Sequence, residues 1–326
     1  LICFTSLPVL LASQTKKFTI SGYVREEANG EAIIGAMVTI KTPIAGTPTN
    51  TYGFFSLTAV EGTYEFAVNY IGMESFTSTI VLNKDTFIEV RLKPRELKEA
   101  VITGEKADKN IDDAQMGTVR LEMKQVKQIP AFMGEVDILK TIQLLPGVKG
   151  GTEGNSGFYV RGGGPDQNLI LLDEATVYNA GHLFGFFSVF NGDAVKDINL
   201  IKGGMPAQYG GRLSSVLDIS MKEGNSQKLQ VDGGIGVIAS RLTIQGPIKK
   251  DTASFIIAAR RTYIDVLMNP FIKESSPFKG SGYYFYDLNT KLNWRINDNN
   301  RVFVSGYFGR DVFSYNNEKS GFFVSI

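Results

Sequence analysis

The chain has 326 residues, 43% hydrophobic and 21% charged, which is enough for two or three modest domains and too apolar for a disordered chain. Its 34 basic and 33 acidic side chains leave a net charge of +1, so charge offers no case for nucleic acid or anionic lipid as a partner. One cysteine (Cys3) and one histidine (His182) exclude an intrachain disulfide, a cysteine-based zinc or iron–sulfur site and a histidine cluster.

Residues 1–14, LICFTSLPVLLASQ, are an apolar stretch ending in the small residues Ala12 and Ser13 and followed by Lys16-Lys17. This is the pattern of the apolar core and cleavage region of a secretory signal peptide. The basic n-region is missing and the chain opens on Leu1, so the expectation is a true start upstream. Cys3 precedes the apolar core instead of following it, which argues against a lipoprotein signal. No later run of 18 apolar residues suggests a membrane helix.

Residues 17–93 hold short runs of β-branched and aromatic residues, FTISGYV, AMVTIK, YGFFSLT, TYEFAVNYIG, TSTIVL and FIEVRL, separated by turn-formers. A spacing near ten residues per strand predicts a β-sandwich of about seven strands. Residues 94–127 are polar and lysine-rich, a linker with one strand-capable segment, Leu97 to Gly104 (LKEAVITG). That segment can add as a strand to a partner's sheet edge, or it can be the last strand of the sandwich. The pattern alone leaves both readings open.

Residues 128–225 mix helix and strand signals. Glu135 to Leu145 predicts a helix with Ile138, Ile142 and Leu145 on one face, stopped by Pro146-Gly147. Asn168–Leu172, Asp197–Ile201 and Val216–Met221 are strand candidates among glycine-rich turns. Asp173-Glu174 reads as a turn and not as a catalytic carboxylate pair, because neighbours on a strand point to opposite faces. Gly162-Gly163-Gly164 lacks the Gly-Lys-Ser/Thr of a phosphate loop, and His182 reads as a packing residue.

From about residue 228 the pattern becomes alternating. In 283–296 the even positions are Tyr284, Tyr286, Leu288, Thr290, Leu292, Trp294 and Ile296. The odd positions from Asp287 on are Asn289, Lys291, Asn293 and Arg295. Tyr284 and Trp294 are ten residues apart, roughly 33 Å of strand at about 3.3 Å per residue. A tilt of about 40° projects this to roughly 25 Å, the apolar band of an outer-membrane barrel. Segments 229–239, 242–248, 254–266 and 301–315 are also strand-like, with a phase flip near Ser240-Arg241. Short turns at Lys249–Thr252 and Asn297–Asn300 alternate with a long loop near 268–282. About five such strands cannot close a barrel, so the expectation is a fragment, or else a protein that does not span a membrane. One residue of the Arg260-Arg261 pair would then place its charge in the lumen.

The strings IPAFMGEVDILKTIQLLPGV, GFYVRGGGPDQNLILLDEATVYN and GGMPAQYGGRLSSVLDISMKEGN, in that order, resemble the plug domain of TonB-dependent receptors. The preceding sandwich resembles the carboxypeptidase-regulatory-like domain fused in front of such plugs. The resemblance implies a mainly β protein: an Ig-like or transthyretin-like sandwich (17–93), a linker with the TonB box (94–127), a small α/β plug (128–225) and the first strands of a transmembrane β-barrel (228–326). It places the TonB box at Glu99, Ala100, Val101, Ile102, Thr103 and Gly104. Its plug motif falls on Arg161, Gly162, Gly163, Asp173, Tyr209, Gly210, Gly211 and Arg212. The implied function is energised import across the outer membrane of a Gram-negative bacterium, with the sandwich and TonB box in the periplasm. The implied partners are TonB, outer-membrane lipid and an external ligand, with no cofactor and no catalytic residue. The rival readings are an exported β-rich binding or adhesion protein and a hydrolase accessory subunit; the front domain's kinship imports no peptidase activity, since no HxxE motif is present.

Overall fold

The computed structural model describes residues 16–41, 45–95, 117–129, 135–151, 157–272, 276, 279, 281–297, 300–317 and 320–325. They fall into two compact units divided between Glu99 and Ala100. The leader-like residues 1–14 and the segment Glu99–Gly104 lie outside the described residues.

The first unit has seven strands: β1 (Lys17–Glu26), β2 (Met37–Lys41), β3 (Ala45–Pro48), β4 (Phe54–Val60), β5 (Gly62–Asn69), β6 (Phe76–Leu82) and β7 (Thr86–Leu92). They form two sheets, β4-β1-β7 and β3-β2-β5-β6. β1 is antiparallel to β4 and parallel to β7. Ile20 and Val24 of β1, Val38 and Ile40 of β2, Phe66 of β5 and Val90 of β7 are fully buried between the sheets. This is the period-2 burial that alternating strand sequences dictate.

The second unit begins with β8 (Thr118–Glu122), α1 (Met123–Val126), α2 (Ile138–Ile142), β9 (Val148–Gly150) and β10 (Phe158–Val160). It continues with β11 (Asn168–Leu172), β12 (Ala175–Thr176), β13 (Gly181–His182), β14 (Phe187–Ser188), β15 (Val195–Ile201) and β16 (Ser215–Met221). A five-stranded sheet runs β12-β11-β16-β15-β8, parallel only between β11 and β16. The expected helix over 135–145 is shorter. Asp137 caps it at Ile138 by accepting from the Lys140 N–H at 3.1 Å, and Glu135 stays extended in a lone bridge. Ile138, Leu139 and Ile142 of α2 pack with Val126 of α1 and with Ile198, Leu217 and Ile219 of the sheet. This inner body has its own core.

Around it stands a six-stranded antiparallel wall: β17 (Gln230–Ile235), β18 (Ala239–Lys249), β19 (Ala253–Thr262), β20 (Gly282–Arg295), β21 (Arg301–Asn317) and β22 (Ser320–Ser325). A short helix, α3 (Ile264–Met268), lies between β19 and β20. The wall has one strand more than the sequence pattern suggests. The phase flip near 240 is a tight hairpin turn at 236–238, closed by Gly236 N–H to Ala239 O at 2.8 Å. That turn is on the same side as the long 263–281 connection, so the separation of short turns from long loops is incomplete.

Burial in the wall runs opposite to that of a soluble sheet. On β20 the polar Asp287, Asn289, Lys291 and Asn293 are buried, while Leu288 (38%), Leu292 (47%) and Trp294 (57%) are exposed. The same rows continue sideways by register. Ser254, Arg260 and Thr262 of β19 and Thr243 and Gln245 of β18 are buried, and Leu242, Ile257, Val302, Val304 and Phe308 face out.

Candidate functional site: the seam between inner body and wall

The polar face of the wall meets the inner body through ion pairs. Arg260 of β19 is the most buried. Its guanidinium donates to Asp287 Oδ2 at 2.7 and 3.0 Å and to the Ser188 carbonyl at 2.7 Å, and it lies 3.5 Å from Glu135. The side chains of Arg260, Asp287 and Glu135 are 3%, 0% and 9% exposed. Burial pushes the Glu135 carboxyl up, with Arg260 pulling against it. A second clamp joins Lys291 of β20 to Asp173 at 2.8 Å, with Ser305 of β21 donating to the same carboxylate oxygen at 2.5 Å. A third joins Arg301 of β21 to Glu223 at 2.5 Å. In the second and third the acid belongs to the inner body and the base to the wall; in the first Arg260 pairs both with Asp287 of the neighbouring wall strand and with Glu135 of the inner body.

His182 reverses that sense. Its ring stacks on Phe285 with centroids 4.1 Å apart and planes 8° off parallel. Nδ1 lies 2.6 Å from Asp311 and Nε2 lies 3.4 Å from Asp287, both on the wall. Burial alone would lower the imidazole pKa, but the hydrogen bonds to Asp287 and Asp311 outweigh it and hold it above its ordinary value. The expected packing role is what the geometry gives, with two carboxylates set beside the ring.

Backbone shape sets these contacts. Asp173 and Glu174, at φ 47° and 69°, make the two-residue turn between β11 and β12, and this puts the Asp173 carboxylate at the wall. Its other oxygen accepts the Met221 N–H at 2.8 Å. Gly224, at φ +84°, approaches β19 so closely that a Cβ there would sit 2.3 Å from the Phe255 carbonyl oxygen.

The expected motif residues do not gather into one site. Arg161 follows β10 at φ 50°, its guanidinium beside Gly117 and Gly203. Gly162 supplies φ +88°, and Gly163 packs where a Cβ would strike Ser214. Tyr209 donates to Asp218 at 2.9 Å, and burial first, then that carboxylate, pushes the phenol up to about 12. Gly210, Gly211 and Arg212 lie beside it in the same turn, with the Arg212 guanidinium donating to the Gly211 carbonyl. Asp173 is at the far end of β11 from Arg161, about five residues at roughly 3.3 Å each. Of the clamp residues the sequence marks Arg260, in the Arg260-Arg261 pair, for an inward charge, Lys291 for the polar face of its strand and Glu135 only as a helix start, while Glu223 and Arg301 carry no such mark. The alternating polar face of 287–295 was visible there, but its partners are distant in sequence.

Residues 118–215 match the family model described as the TonB-dependent Receptor Plug Domain, and residues 20–102 match the one described as the CarboxypepD_reg-like domain. The chain carries a TonB-dependent receptor plug domain. Among curated proteins the chain finds no match. Solved structures similar to it include the siderophore receptor PirA from Pseudomonas aeruginosa, at 20% identity and TM-score 0.44 over 60% of this chain and 34% of that one. The copper transporter OprC (15%, TM-score 0.43, 61% and 30%) and the ferric yersiniabactin uptake receptor FyuA from Yersinia pestis (14%, TM-score 0.43, 65% and 34%) are similar too. The chain spans about a third of the length of these receptors. The inner body is thus the plug, and the wall is a sheet clamped to it.

Proposed function

We propose that the protein is a TonB-dependent outer-membrane receptor that imports a scarce external ligand by energised rearrangement of its plug. The observation that carries this reading is the wall's inverted burial. A sheet with Asp287, Asn289, Lys291 and Asn293 buried against the plug and Leu288, Leu292 and Trp294 outward suits lipid on its outer side and suits water poorly. The plug rearranges and no covalent chemistry occurs.

TonB engages Glu99–Gly104 by strand addition in the periplasm, and force then enters the plug at Thr118, the start of β8. The motif residues Arg161, Gly162, Gly163 and Tyr209 to Arg212 shape plug turns. The test is Val101→Pro, which removes a backbone donor from the added strand. Energised uptake should be lost while binding of the ligand at the cell surface is kept. Normal uptake by that variant would remove the TonB box from this segment.

A further inference from the structure

Along the six described strands of the wall the plug is held unequally. Toward β19–β21 it is clamped by the buried pairs of Arg260, Lys291 and Arg301. Toward β17–β18 a cavity of about 370 Å³ separates the two, lined by Lys127, Asp193 and Lys222 of the plug and by Arg241, Thr243 and Gln245 of β18. Cavities of this size hold small ligands. The lining is polar and carries both signs, which suits a hydrated, hydrophilic solute. Thr243 is 2% exposed, and among the described residues its hydroxyl has no hydrogen-bond partner. That hydroxyl oxygen is itself buried, so the unmet polar group lies in the cavity wall and opens to a solute only if the wall and the plug part there.

The cavity is bridged by the ion pair of Arg241 and Asp193, 3.1 Å apart, with side chains 38% and 14% exposed. So exposed a pair is far weaker than the clamps. Asp193 is also held by Lys127 at 2.9 Å. Lys127 directly follows α1, which directly follows β8. Among the described residues β8 is an edge strand paired only with β15, so tension arriving from before Thr118 peels β8 first and draws Lys127 off Asp193.

We infer that solute crosses on the β17–β18 side of the plug, through a gate formed by Lys127 and Asp193 on the plug and Arg241 on the wall. This rests on the transport reading above. The test is thiol accessibility in cells, in a Cys3→Ser background, using a membrane-impermeant sulfonated maleimide. Thr243→Cys lines the cavity, and Ala258→Cys is the buried control on the clamped side. Heat-modifiable migration confirms that both variants fold. Labelling at 243 should rise about tenfold or more when the proton gradient is present, as local opening requires, and labelling at 258 should not. Adding Lys127→Ala should make position 243 reactive without energy. Labelling at 258 in place of 243 would overturn the route and leave transport standing. Labelling at neither position, with or without the gradient, would overturn the route and count against energised opening as well.

Discussion

Replacing Arg260 by methionine removes the most buried cation of the seam. The methionine fills part of the volume but takes the guanidinium from Glu135, at 9% exposed, and from Asp287, whose side chain is 0% exposed and keeps, among the described residues, only His182 Nε2 at 3.4 Å. Breaking one partner of a buried pair costs about 3–5 kcal/mol, because the remaining charge stays desolvated. The Ser188 carbonyl also loses its donor. We expect a loss of about 3 kcal/mol at pH 7, measured by denaturant unfolding of the protein folded in micelles. Glu135 already has a raised pKa from burial, so it takes up a proton more readily in the fold than in the unfolded chain. A raised carboxyl favours the fold as pH falls toward its unfolded value, so the deficit should shrink as pH falls toward about 4.5. The double variant Arg260→Met/Asp287→Leu should recover part of the loss, because the more buried of the two stranded charges is gone. A loss below about 1 kcal/mol for Arg260→Met alone would refute the view that Arg260 clamps the plug through Glu135 and the Ser188 carbonyl.

Gly224→Ala should destabilise the protein by about 2 kcal/mol or more, since it combines a left-handed backbone with a Cβ 2.3 Å from the Phe255 oxygen; unfolding midpoints read this directly. His182 is held above its ordinary pKa, so its stabilisation is full below about pH 6.5 and is lost as pH rises through the folded value. Stability of the parent protein should therefore fall as pH rises above about 6.5, and His182→Gln should flatten that slope. Leu292→Arg on the outward face should cost about 2–4 kcal/mol in vesicles if it lies near mid-bilayer. The same change on a water-facing sheet would cost within about 0.5 kcal/mol.

Much of the fold is legible in the sequence because strands write their burial with a period of two. The run from Tyr284 to Trp294 shows two unlike faces from its alternation alone, and the paired acids Asp173-Glu174 mark their turn. The sign of the burial comes from tertiary packing, because alternation does not say which face meets a core. The helix expected over 135–145 is too long because Glu135 belongs to the seam, where Arg260 holds it, and Asp137 caps the helix later than the apolar spacing suggests. The seam itself is not legible. Arg260 and Glu135 are far apart in the chain, and nothing in either neighbourhood marks the other as its partner.

The outward face of the wall is the central claim, and Trp294, the chain's single tryptophan, reports on it. It is 57% exposed on that face, near the turn that joins β20 to β21. The protein should be folded into vesicles whose acyl chains carry bromine at a shallow or a deep position, and Trp294 emission recorded. Strong quenching by the shallow bromines, weaker quenching by the deep ones and little by aqueous iodide is the predicted result, with tryptophan at the membrane interface. Full quenching by iodide with no effect of either brominated lipid would contradict a lipid-facing wall.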